Sequence, residues 1–215
     1  SKGGAALSDS FLFGGFVNFN PIQAEYNNFF SVMAIEDDTE VTVEFPKGVA
    51  LSNYRGSYPV SFKLEKNESF VGILEAVNDP NNIDGLIGGK LTSTKDVAVI
   101  SGSTTGTNGT GMGHDYGIDQ LVGTENAGKE FIFIRGESPK TVGGNPYYSI
   151  ENIVLVPLVA GTTYVANNGP ATPITGDYAV IEGDAYNNND NMYVVTSDPV
   201  MAFQVIGGVP SRLNN

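Results

Sequence analysis

The sequence predicts an all-β chain: an antiparallel β-sandwich-like architecture built from two related repeat units, with two separate small β-sandwich domains as the alternative. Three observations carry this expectation. Apolar and polar residues alternate with a period of two, clusters of Asp, Asn, Gly and Pro divide the chain into short segments, and no stretch of a dozen residues holds a helical period. About a dozen short strands result.

The alternation is cleanest in Glu40-Val41-Thr42-Val43-Glu44-Phe45, whose apolar side chains fall on one face as a half-buried strand requires. Tyr58-Pro59-Val60-Ser61-Phe62-Lys63-Leu64-Glu65 repeats the device. Five segments are nearly continuous in apolar residues: Phe29 to Ile35, Val97 to Ile100, Phe131 to Ile134, Ile153 to Leu158 and Val200 to Ile206. These are expected to be strands buried on both faces. Between the strands lie turn clusters such as Glu36-Asp37-Asp38-Thr39, Asn78-Asp79-Pro80-Asn81-Asn82, Thr107-Asn108-Gly109-Thr110 and Asn167-Asn168-Gly169-Pro170.

The two halves repeat each other. Leu91 to Gly102 corresponds to Val195 to Gly207, each reading as a strand, a tight Asp-containing turn and a second strand closed by Gly. Val71 to Glu75 parallels Ala179 to Glu182, and Ser10-Phe11-Leu12-Phe13 parallels Glu130-Phe131-Ile132-Phe133. The expected organisation is a first β unit over 1–104, a Gly-rich connection over 105–129 that carries a His-Asp-Tyr motif, and a second β unit over 130–215. Periodicity leaves open whether the units form one body or two. Their junction is the natural place for a cleft.

Charge and composition exclude several functions. The chain has 11 Lys plus Arg against 24 Asp plus Glu, a formal net charge of −13 with no basic cluster, so it repels nucleic acid and anionic headgroups. It has no Cys, hence no disulfide, thiolate nucleophile or Cys-based metal site. His114 is the only imidazole. No apolar run approaches the roughly 20 residues of a membrane-crossing helix, so direct membrane insertion is not expected. Ser1-Lys2-Gly3-Gly4 lacks the apolar stretch of a signal peptide and reads as the start of an internal or processed fragment.

Three segments together carry a family resemblance. His114-Asp115-Tyr116, then Asp119-Gln120-Leu121 and Gly128-Lys129-Glu130-Phe131, form one of them. The others are Ala34-Ile35-Glu36-Asp37-Asp38-Thr39-Glu40-Val41-Thr42-Val43 and Leu91 to Gly102. In order and spacing they resemble the IgGFc-binding protein N-terminal domain family, over about 30 to 135 and more weakly to about 208. The chain departs from the pattern at Val122-Gly123, where that family has Pro-Pro, at Ala127 in place of Trp, at Asp96 in place of Pro, and in lacking the Cys of the vertebrate members. The departures set the chain apart from the vertebrate members, with their mucin-associated function and IgG binding, and suit a bacterial relative. The resemblance implies an extracellular, cell-surface module of a large adhesin-like protein, of the kind found in gliding and related bacteria.

Candidate chemistry is sparse. His114 with Asp115 and Asp119 invites a catalytic reading, because a carboxylate can orient an imidazole, but no Gly-x-Ser-x-Gly elbow supplies a nucleophile. His114, Asp115, Tyr116, Asp119 and Gln120 are instead the candidate binding residues. No cofactor is required. Calcium suits the excess of carboxylate and amide oxygens, with Asp37, Asp38, Asp79, Asn81, Asp84, Asp184 and Asp190 as candidate ligands, although Asx residues at these places also make ordinary turns. Tyr54, Tyr58, Tyr147, Tyr148 and Tyr186 could stack on sugars or simply pack. The expected function is a non-enzymatic binding or adhesion module at a cell surface. Its partner would be a protein or glycan, or neighbouring domains of the same long protein. The alternatives are a spacer or assembly subunit of a stalk or filament, and a hydrolase using His114 with a carboxylate.

Overall fold

The computed structural model describes residues 2–16, 27–75, 83–106, 115–136, 141–142, 145–146 and 151–207. The first sheet holds β1 (Leu7–Leu12), β2 (Asn27–Ala34), β3 (Thr39–Glu44), β4 (Val60–Leu64), β5 (Ser69–Glu75), β6 (Lys90–Gly106) and β7 (Asp115–Gln120). A two-residue pair, β9 (Thr141–Val142) with β10 (Asn145–Pro146), stands apart. The second sheet holds β8 (Gly128–Ile134), β11 (Glu151–Pro157), β12 (Thr163–Ala166), β13 (Thr172–Pro173), β14 (Ala179–Glu182) and β15 (Asn191–Ile206). Among the described residues the helical segments are three short 3-10 turns, so the all-β expectation is borne out. Part of the predicted connection, 115–120, is itself a strand paired to β6.

The two sheets share one plan. Their orders are β4-β3-β6-β2-β5 and β13-β12-β15-β11-β14, with β1 pairing β6 and β8 pairing β15, every pair antiparallel. In each sheet a long hub strand carries two neighbours in succession along one edge, β3 then β2 on β6, and β12 then β11 on β15. Where the neighbour changes, the hub bulges. The step from Thr92 to Val97 faces only the step from Ser10 to Ser8, and the step from Val195 to Val200 faces only that from Glu130 to Gly128. Such a bulge bends the strand and sharpens its twist.

Hydroxyl groups hold both bulges in the same way. Ser93 Oγ donates to the Lys95 carbonyl at 2.7 Å, and Thr196 Oγ1 donates to the Asp198 carbonyl at 2.7 Å. One residue further on, Thr94 Oγ1 accepts from Glu40 N and Ser197 Oγ accepts from Thr163 N, each at 3.0 Å. Two expectations are corrected here. The Asp-containing segment is a bulge in one continuous strand rather than a turn between two, because these hydroxyls hold the chain extended. The repeat also aligns one residue earlier in the second half, Ser93 with Thr196 and Val97 with Val200.

Three apolar cores follow. One fills the first unit around Phe11, Phe13, Phe30, Val41 and Val99, and a second fills the other around Phe133, Ile153, Leu155 and Met192. The third lies between the units, where Leu12, Phe16 and Ile87 of the first meet Val154, Val156, Met201 and Val205 of the second. Strand β11 feeds two cores at once: Ile153 and Leu155 point into its own unit, Val154 and Val156 into the shared one. That is why its apolar run is continuous.

The run Val200 to Ile206 is likewise flanked by two cores, with Val200 in its own unit's core and Met201 and Val205 in the shared one, whereas the remaining three runs are not buried on both faces. Met33 on β2, Ile100 on β6, and Ile132 and Ile134 on β8 are exposed. In each case the side chain lies on the face turned away from its own unit's core, and among the described residues nothing covers it there.

Candidate functional site

The β6–β7 pair and the end of β15 enclose a cleft of about 310 Å³ between the units, lined by Phe16, Tyr116, Ile118, Asp119 and Phe203 among others. Its floor depends on a small residue. Gly117 lies directly under the Phe16 ring, and a Cβ there would overlap the ring. Gly207 presses on the same ring from the second unit. Phe16 is therefore an aromatic wedge that only side-chain-free backbone on both sides can accommodate.

Alternation along β7 puts Tyr116, Ile118 and Gln120 on one face and Gly117 and Asp119 on the other. Tyr116 is 80% exposed, with Ile118 beside it also exposed, so an aromatic and an aliphatic side chain stand open to solvent at the mouth of the cleft. Asp119 is held by Lys2, whose Nζ lies 2.6 Å from its carboxylate, and the Lys2 backbone N–H donates to Gln120 Oε1 at 3.4 Å. Of the five candidate binding residues, Tyr116, Asp119 and Gln120 are thus brought together on one strand. Asp115 starts the same strand opposite Gly106. His114 lies outside the described residues.

Among the described residues the candidate calcium ligands do not converge. Asp38 pairs with Lys63, whose hydrogen bond and charge hold the Asp38 carboxyl below its usual range. Asp37 accepts from the Lys66 backbone N–H at 3.0 Å. Asp84 is bound by Lys47 at 2.6 Å and by the Tyr178 hydroxyl of the second unit. Burial, and then the bond to Asp84, push the Tyr178 phenol well above its ordinary value. Asp184 lies in a 3-10 turn, and Asp190 takes a left-handed turn conformation. Asp79 and Asn81 lie outside the described residues. Among the described residues no group of three carboxylate or imidazole side chains gathers to hold a metal ion.

Of the candidate aromatics, Tyr54 packs edge-on against Tyr58 and Phe70 at the rim of the first core. Tyr58 accepts the Leu51 backbone N–H at 2.6 Å and borders a second hollow of about 600 Å³ beside Glu44, Lys47 and Pro59. Tyr147 and Tyr148 lie outside the described residues. Tyr186 is buried, so packing is its role. Its hydroxyl donates to Glu151 Oε1 at 3.1 Å, and the Arg135 guanidinium stands 5.6 Å from its ring centre. Burial, and then the Glu151 carboxylate, push the Tyr186 phenol up strongly.

Sequence reasoning missed Glu151, which is fully buried. Its Oε1 also accepts from the Gln204 side chain at 2.7 Å and from Gly136 N at 2.8 Å, so one carboxylate ties β11, β15 and the segment after β8 together. Position alone gave no signal, because a Glu at a strand start is ordinarily exposed. Phe16 and Ile118 were missed as well. The second had a signal: Tyr116, Ile118 and Gln120 alternate with Gly117 and Asp119 as a strand would.

Compared with known proteins, residues 5–214 match a family model described as IgGFc binding protein. No curated protein and no solved structure matches the chain.

Proposed function

The chain belongs to the IgGFc-binding protein family, and from that premise we propose that it is a non-enzymatic binding module working outside the cell, at a cell surface. The match spans both units, well beyond the three motifs that carried the resemblance. The family's description supports a binding role in general, and no helix among the described residues is long and apolar enough to cross a membrane. The observation that carries the proposal is the edge of the inter-unit cleft, where β7 presents Tyr116 and Ile118 exposed on one face and Asp119 on the other. An exposed aromatic beside an aliphatic side chain offers contact area to a protein loop or to the apolar face of a sugar at low entropic cost.

The ligand in this reading is a protein or glycan displayed on a surface. The test is immobilised chain against a panel of Fc fragment, surface proteins and glycans. Tyr116→Ala and Ile118→Ala are expected to weaken whatever binds at least tenfold, while the thermal midpoint stays put. Binding that ignores both substitutions would overturn the site, and a panel without any binder would overturn the function. The reading needs no cofactor. A midpoint that drops on adding EDTA would reveal structural calcium, since an ion bound only by the folded chain must raise it.

A further inference from the structure

We infer that a second copy of this chain docks on the outer face of the β5-β2-β6 layer, reproducing between molecules the contact that joins the two units within one. This inference does not rest on the proposed recognition at Tyr116, although Ile118 and Gln120, opposite Gly102 and Ile100 across β6 and β7, border the same face.

The repeat supplies the template. With Ser93 aligned to Thr196, register places Met33, Val71 and Ile100 of the first unit where the second has Val156, Val180 and Phe203. In the second unit that face is covered by the first: Val156 is 1% exposed, and Val154, Met201 and Val205 join it in the shared core. In the first unit the same face is open, with Met33 42% and Ile100 37% exposed. Adjacent on it are Phe29 and Ile73, paired across β2 and β5. Between Met33 and Phe29 the paired positions of this face, Ser31, Val71, Ile73, Ala98, Ile100 and Gly102, are all uncharged, in a chain of net charge −13. Contiguous uncharged apolar surface of this kind marks an interaction site.

The covering side is also duplicated. In the first unit, Leu12 at the end of β1 packs into the shared core, and Gly14 lies so close to the Phe203 ring that a Cβ would overlap it. By the same register, Ile132 and Ile134 of β8 stand where Leu12 and Gly14 do. Both are apolar and point to solvent, 74% and 73% exposed. The sizes also trade. Within the chain a glycine on the covering edge meets a phenylalanine on the face. Between copies an isoleucine, Ile134, would meet an isoleucine, Ile100. Each molecule therefore presents one open face and one unused edge that match each other and not themselves. A contact between unlike patches propagates head to tail, as an open array unless its rotation closes a ring.

The absence of cysteine makes the test direct. Ile100→Cys and Ile134→Cys are each prepared and oxidised alone and as a mixture. A cross-linked dimer that forms only in the mixture is expected. Dimers from either variant alone, or none in the mixture, would overturn the inference. Sedimentation provides the second arm. The unmodified chain is expected to grow in mass with concentration. Ile100→Asp and Ile134→Asp should each stay monomeric alone and form a 1:1 dimer when mixed. A chain that remains monomeric at several hundred micromolar, or variants that associate as the unmodified chain does, would refute it. Both positions are exposed in the single chain, so unchanged thermal midpoints exclude misfolding as the cause. Fc or glycan binding through Tyr116 is expected to persist in the Ile134 variants, which lie on the other sheet, and this separates failure here from failure of the proposed function.

Discussion

The packing of Phe16 against Gly117 allows the junction between units to be measured with a double-mutant cycle. Gly117→Ala puts a methyl group into space the Phe16 ring fills, so the ring must leave its place between the units. Overpacking of this kind costs about 1–3 kcal/mol. Phe16→Ala removes a ring that is nearly buried in the shared core and costs about 3–5 kcal/mol. In the double variant the new methyl enters space the ring has vacated, so adding Gly117→Ala to Phe16→Ala should cost roughly 0.5 kcal/mol or less. The expected coupling is therefore about 1–3 kcal/mol in the non-additive sense. Urea unfolding of the four proteins, read by intrinsic tyrosine fluorescence and far-UV dichroism, gives each value from its midpoint and slope. Costs that add within about 0.5 kcal/mol would show that the ring and the glycine do not share space, and would refute this picture of the junction.

Three further outcomes are expected. Glu151→Ala leaves the Tyr186 hydroxyl, the Gln204 amide and Gly136 N without their common acceptor, and should cost about 3–5 kcal/mol by thermal or urea unfolding; a loss below about 1 kcal/mol would show that water replaces the carboxylate freely. Tyr178 and Tyr186 hold their protons more tightly folded than unfolded, so their stabilising effect is complete below about pH 10 and is lost as pH rises above it. Midpoints measured from pH 8 to 11.5 should fall at the alkaline end, and Tyr178→Phe with Tyr186→Phe should flatten that fall. Asp38→Asn should leave the midpoint at neutral pH unchanged within error, because the Asp38–Lys63 pair is exposed and screened.

Much of the fold was legible in the sequence because period two is a direct image of a sheet with one wet face. Val41 and Val43 alternate with Glu40, Thr42 and Glu44, and the strand formed there with that burial. The repeat was legible too, down to the equivalence of Phe11 with Phe131. What misled was continuous apolar sequence. Ile153 to Val156 is apolar because two cores flank it, whereas Phe131 to Ile134 is apolar with one flank open, and a lone chain's sequence does not distinguish a covered face from one awaiting a cover. The bulge was misread as a turn because Ser, Thr and Asp serve both, and the choice depends on Ser10 and Glu130 lying opposite, a long-range fact. In the candidate site, Tyr116, Asp119 and Gln120 were named from their motif, and the register places them on one strand. Phe16 was not, since its role depends on glycines 101 and 191 residues further along the chain.

The hub strands also set a timetable for folding. β6 is the sixth of the first sheet's seven strands to be synthesised, yet β1, β2, β3 and β7 all pair with it. Before it emerges, the chain holds only the β2–β5 and β3–β4 pairs, and isolated two-stranded pairs are marginal in water. The same holds for β15, the last strand of its sheet, which joins β8, β11 and β12. With contacts this distant along the chain, loop closure must precede most of the stabilisation, which places folding on the millisecond-to-second scale. Each unit is thus kept open until its final long strand arrives. A chain of this design stays threadable while it is being made or exported, and it commits to structure one whole unit at a time.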